Sequence, residues 1–283
     1  MISGLAKTEK VFLIVLVTLA LILSYISTYA ALKKQNYIPP STQPGQTKTL
    51  HYKFNSKSSP QDWNKIGNDI RDSFPYFTSF LIVVPEKWVV QTASCLSFMF
   101  ENLSKTIAVA STNSSYIMDR CKYSYIPEVV VIHEDGSMFR GCQYPKTNIY
   151  LTEYNCLSSP DSETTLQYID IDKNIQHIPN LTTPNLQFIN HEGNIDAVII
   201  ENYHPSIDIQ QLPKIEKVIV VFISQNEKNV APHILQNGYI SCGNITIESA
   251  YTKLLYLFGN VPDHTLIPQL MIINMRGEFN SLK

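Results

Sequence analysis

From Val11 to Leu32 the chain runs without a charged residue, closed by Lys10 on one side and by Lys33 and Lys34 on the other. A helix rises about 1.5 Å per residue, so a stretch of this length crosses a hydrocarbon core of about 30 Å. Thr28-Tyr29-Ala30 has the small-x-small look of a cleavage site. The apolar run is nevertheless longer than the roughly 7–15 residues of a signal peptide, which favours a retained anchor. The pattern predicts a cytoplasmic N-terminus over residues 1–10, a transmembrane signal-anchor over 11–32 and a polar, Pro-containing stem over 33–50.

Beyond the stem, apolar runs alternate with helical spacing. Phe80–Val84, Thr106–Ala110 and Glu128–Ile132 read as buried strands, with helices predicted over 88–104 and over Ser114–Tyr123. Asp135-Gly136 marks a hairpin turn into a further strand, Ser137–Cys142. The second half predicts strands at Ala197–Ile200, Val218–Ile223, Tyr239–Cys242 and Leu270–Ile273. Its helices are a weak one over Ile207–Ile215, a short one over Val230–Gln236 that Gly238 stops, and one from Ile247 to Phe258 with a single apolar face. Strands alternating with helices imply an α/β fold, and continuous apolar runs imply strands covered on both faces.

The two halves can be laid over each other. Ile126-Pro127-Glu-Val-Val-Val-Ile132, with Gly136 beyond, aligns without a gap on Ile267-Pro268-Gln-Leu-Met-Ile-Ile273, with Gly277 beyond. An internal similarity of this size reads as a repeated domain.

An Ile-Pro step into an apolar strand, a Gly turn and a further strand resembles the second half of the thioredoxin fold. Two such units behind a secretory segment resemble the protein disulfide isomerase family. The resemblance implies two tandem thioredoxin-like domains, 51–160 and 195–283, joined by a connecting segment, 161–194. It implies that Pro127 and Pro268 are loop prolines beside the binding face. The second unit is short, with six residues after Gly277 and no final helix. Where the family carries its redox Cys-x-x-Cys, this chain has Pro85-Glu-Lys-Trp-Val-Val90 and Ser224-Gln-Asn-Glu-Lys-Asn229, so no catalytic residue transfers. The implied function is that of the non-catalytic domains: a redox-inactive, membrane-anchored chaperone or scaffold that binds polypeptide or a partner protein.

Composition adds a few constraints. A formal net charge of −2 leaves no basic footprint for nucleic acid. Asn102, Asn113, Asn180 and Asn244 each open an Asn-x-Ser/Thr acceptor triplet. They imply a glycosylated, lumenal C-terminal part, and hence a single-pass type II protein of the endoplasmic reticulum or another secretory compartment. Cys95, Cys121, Cys142, Cys156 and Cys242 form no zinc-like spacing. In an oxidising lumen Cys142 is expected to pair with Cys156 across a polar loop, with Cys121 as the alternative partner, while Cys95 and Cys242 stay thiols.

Gly-x-Ser-x-Gly, P-loop and His-Glu-x-x-His patterns are absent, and no cofactor is implied. Asp170-Ile-Asp172 offers an alternative metal pair, of the kind that holds a divalent cation and a nucleotide-sugar diphosphate in type II membrane glycosyltransferases. A monothiol oxidoreductase is the other enzymatic alternative.

Overall fold

The computed structural model describes residues 46–54, 59–123, 126–144, 173–179, 181, 195–201, 207–223, 231–243 and 245–279, together with the backbone of 165 and 166. The predicted span over 11–32 lies outside these residues. Among the described residues no helix is long and apolar enough to cross a membrane.

The first sheet holds β1 (Thr47–His51), β2 (Ser79–Val83), β4 (Thr106–Ala110), β5 (Val129–Ile132) and β6 (Met138–Arg140), in that spatial order. β1, β2, β4 and β5 run parallel, and β6 returns antiparallel at the edge. Three helices connect the parallel strands: α1 (Pro60–Ser73), α2 (Glu86–Met99) and α3 (Ser115–Tyr123). A short β3 (Phe100–Glu101) pairs with β7 (Thr165–Leu166). The predicted β2, β4 and β5 and their helices are present. β1 was missed because Thr47-Lys-Thr-Leu-His51 is a half-polar edge strand, and it begins inside the segment read as stem.

Local chemistry starts α1. Ser59 and Asp62 form a reciprocal capping box and Pro60 occupies the first turn, where its missing N–H costs nothing. Trp63, Ile66, Ile70 and Ser73 then bury one face. At the β5–β6 turn, Gly136 adopts φ +80°, and a β-carbon there would come within 2.4 Å of the Tyr116 ring.

The helices do not all lie on one face. Phe80, Ile107 and Val129 stand in register across β2, β4 and β5. Phe80 stacks on Phe74 at the end of α1, and Val129 lies with Ala93 and Ser97 of α2 around Gly141. The alternate residues Leu81, Ala108 and Val130 form the opposite face and pack with Ile117 and Cys121 of α3. Each crossover nevertheless advances one position in the same direction. The crossover through α3 is therefore opposite in hand to those through α1 and α2. Since parallel crossovers are right-handed in about 98% of cases, the β4–α3–β5 connection is a rare left-handed one.

The second sheet has the order β11 (His233–Ile234), β12 (Ile240–Ser241), β10 (Ile219–Ile223), β9 (Ala197–Glu201), β8 (Ile175–Ile178). β8, β9, β10 and β12 are parallel and β11 is antiparallel. The fold is thus α/β with two mixed, mostly parallel sheets. Three expectations are corrected here. The segment predicted as a short helix ending at Gly238 carries β11, and Gly238, at φ +82°, turns a hairpin into β12. The segment read as a connector supplies the edge strand β8. Ile267–Met271 is a short helix, α5, with Pro268 in its first turn, so the apparent repeat of Ile126–Ile132 is not a structural repeat.

The long helix of the second half, α4 (Ile247–Asn260), covers β9 and also packs on α2. Ser94 of α2 meets Ser249 at 3.0 Å and Thr252 at 2.7 Å, all buried. These small hydroxyl residues let the two helices approach closely. The C-terminal segment is held by Lys253, wholly buried, which pairs with Glu278 at 2.6 Å and donates to the carbonyl oxygens of Met271 (2.9 Å) and Ile273 (2.5 Å).

Candidate functional site at the carboxyl edge of the first sheet

In open α/β sheets ligands bind outside the carboxyl ends of the strands, where neighbouring connections leave toward opposite faces. β2 leads into α2 on one face and β4 into α3 on the other, so the crevice opens between their ends. Val84-Pro85-Glu86 follows β2 and Ser111-Thr112-Asn113 follows β4. The end of β1 flanks the crevice with Tyr52, Lys53 and Phe54, and the end of β5 with His133.

The chemistry here is mixed. Tyr52 Oη donates to Asp69 Oδ2 at 2.7 Å, and burial together with that carboxylate raises the phenol's pKa. Phe54 meets Trp88 edge-on at 5.9 Å between ring centroids, and Lys87 Nζ lies 5.1 Å from the Trp88 ring. Pro85 is the N-cap of α2, so no side-chain oxygen closes that helix start. Ser111 and Thr112 are half-buried hydroxyls, and neither hydrogen-bonds a base among the described residues. His133 Nδ1 lies 3.5 Å from Asp135, whose carboxyl is held below the ordinary range by hydrogen bonds from Ser137. No cluster of His, Cys, Asp or Glu among the described residues could hold a metal ion.

The residues singled out by sequence fall elsewhere. Pro127 precedes β5 at the amino edge, where it lines a cavity of about 150 Å³ with Ser97, Glu101, Arg140 and Arg276. Pro268 lies in α5. Asn113 is exposed beside the crevice, while Asn102 is half-buried at φ +51°. Asn180, Asn244, Cys156, Asp170 and Asp172 lie outside the described residues. Cys95, Cys121, Cys142 and Cys242 are buried free thiols. Cys142 Sγ donates to the Arg276 carbonyl at 3.2 Å. Burial pushes the Cys121 and Cys242 thiols up to about 12, and thiols held so far above neutrality are poor nucleophiles.

The chain is 23% identical to L-asparaginase 1 of Escherichia coli K12 over 281 residues, covering 79% of this chain and 81% of that protein. L-asparaginase of Dirofilaria immitis is 24% identical over 211 residues, 66% of this chain and 35% of that protein. Among solved structures, L-asparaginase I of Vibrio cholerae superposes with a TM-score of 0.64 at 20% identity, over 80% of this chain and 83% of that one. The thermostable L-asparaginase of Thermococcus kodakarensis gives a TM-score of 0.58 at 19% identity, over 78% and 82%.

The chain is similar to the L-asparaginases. No family model matches it. A likeness that runs through both sheets at comparable length overturns the thioredoxin-like resemblance, and with it the disulfide-isomerase-like and chaperone or scaffold readings drawn from it. The glycosyltransferase and monothiol alternatives fall with them. The Ile-Pro steps misled because a Pro-led apolar strand and a Pro-led helical turn share one local sequence pattern.

Proposed function

We propose that this chain is an L-asparaginase-like amide hydrolase, taking a small amino-acid carboxamide at the crevice between β2 and β4. The observation that carries the reading is the similarity to L-asparaginases in both sequence and fold along about four-fifths of both chains. The reaction adds water to the side-chain amide of asparagine. The carbon–nitrogen bond breaks, the acyl carbon keeps the oxygen as the aspartate carboxylate, and the nitrogen leaves as ammonia with the proton. Ser111 and Thr112, which follow β4, are the hydroxyls to be tested.

One observation favours a second reading, ligand capture without turnover. Among the described residues, Tyr52, Lys53 and Phe54 follow β1 and Pro85 and Glu86 follow β2, so neither strand end supplies a Ser, Thr or Cys nucleophile. Among the described residues of this edge no Ser or Thr is poised on a histidine or lysine.

Incubating the full chain with L-asparagine and measuring ammonia and aspartate tests both readings. Equimolar release of the two, lost in Thr112→Val or Ser111→Ala, supports hydrolysis. Saturable asparagine binding without ammonia supports capture alone, and neither binding nor release ends both.

The apolar run over 11–32 and the exposed acceptor at Asn113 support a placement in which this globular part is lumenal and tethered to the membrane.

A further inference from the structure

The first two turns of α1 and α2 carry four buried polar atoms without a partner. They are Trp63 Nε1 and Asn64 Oδ1 in α1, with Trp88 Nε1 and Thr92 Oγ1 in α2. Trp63 is 1% exposed and Thr92 is fully buried. A buried indole N–H ordinarily finds an acceptor, and each orphan in a native fold requires an explanation. Trp88 and Thr92 are four residues apart, hence on one face of α2. α1 and α2 pack side by side on the same face of the sheet, and both begin at its carboxyl edge. The chain has two tryptophans, and both stand here.

We propose that these groups form the receiving wall of the site. The indole N–H groups of Trp88 and Trp63, with the Thr92 hydroxyl, donate to the side-chain acyl oxygen of a small amino acid, whether that group is a carboxylate or a primary carboxamide. The proposal rests on the carboxyl-edge reading above but needs no turnover. Two indole donors and a hydroxyl favour an oxygen acceptor, and their desolvation strengthens each bond. The arrangement binds acid product and amide substrate through the same acyl oxygen.

The tryptophans supply the probe. The fluorescence of the full chain is titrated with L-asparagine, L-aspartate and, as a ligand lacking the side-chain acyl group, L-alanine. A saturable change with asparagine, aspartate or both, and none with alanine, is the expected result; which of the two acts identifies the acyl form preferred. Trp88→Phe and Thr92→Val should each weaken binding, read by calorimetry, about tenfold, as for one buried hydrogen bond lost. Circular dichroism and cooperative unfolding verify that each variant folds. An equal response to alanine, no saturable response, or wild-type affinity in both variants overturns the proposal. Ammonia release that both variants retain at wild-type KM removes this wall and leaves the hydrolase. A saturable response without ammonia removes the hydrolase and leaves the wall.

Discussion

Ser94 Oγ lies 2.7 Å from Thr252 Oγ1, although 158 residues separate the two along the chain. The contact joins α2, which belongs to the first sheet, to α4, which covers the second, and Ser249 adds a bond to the Cys142 carbonyl from the same helix. Small hydroxyl side chains let two helices approach until each oxygen finds a partner on the other. Ser94→Ala is expected to cost about 1 kcal/mol, the net worth of a hydrogen bond. Ser94→Leu should cost more, about 1–3 kcal/mol, by overpacking. Urea unfolding measures both, and equal stability in the leucine variant would mean the helices do not meet there.

Glu278 accepts hydrogen bonds from the Met275 and Arg276 amides as well as from Lys253. Removing its charge leaves a lysine buried without a counter-ion. Glu278→Gln should destabilise the fold by about 3–5 kcal/mol, whereas a double replacement, Lys253→Met with Glu278→Leu, should recover much of the loss. Thermal unfolding of the three variants checks the order.

Lys105 is buried against Phe74, donating to its carbonyl, and burial lowers its pKa from 10.5 to about 8. Below pH 8 the ammonium is charged in both states and carries its full desolvation cost. Between about 8 and 10.5 the unfolded chain holds more protons than the folded one, so stability rises with pH. The rise should vanish in Lys105→Met, as chemical denaturation at pH 7.5, 9 and 10.5 on the two proteins would show.

The four described thiols are buried, with raised pKa values, and are expected to resist iodoacetamide in the native state and to react together on unfolding. Mass spectrometry before and after denaturation tests this. Fast native labelling of Cys121 or Cys242 would contradict their placement.

Asn113 is exposed, whereas the Ser104 hydroxyl of the Asn102 acceptor triplet is buried without a partner. In secretory expression a glycan is expected at Asn113 and not at Asn102. Peptide mapping after endoglycosidase treatment reads the two sites separately, and the reverse pattern would contradict this local geometry.

Much of the secondary structure was legible because β2, β4, β5, β9 and β10 are continuous apolar runs, and α2 and α4 repeat theirs at helical spacing. The misreadings share a cause. Leu270–Ile273 is too short and too uniformly apolar for periodicity to separate strand from helix. β1 is an edge strand and keeps polar residues. The site was not legible at all, because its groups come from the ends of strands far apart in sequence and no local motif marks them.

Hydrophobic periodicity by itself determined that this chain forms an α/β fold with covered strands, since burial of apolar faces is written into residue spacing. It also supplied the apolar run over 11–32. Only the tertiary structure decided which strands neighbour one another, that the β4–α3–β5 crossover reverses hand, and that Trp63 and Trp88 stand at one edge. Those outcomes depend on packing between distant segments. A single strand or helix buries its apolar face equally well in many arrangements, and the choice among them rests on contacts that no local pattern encodes.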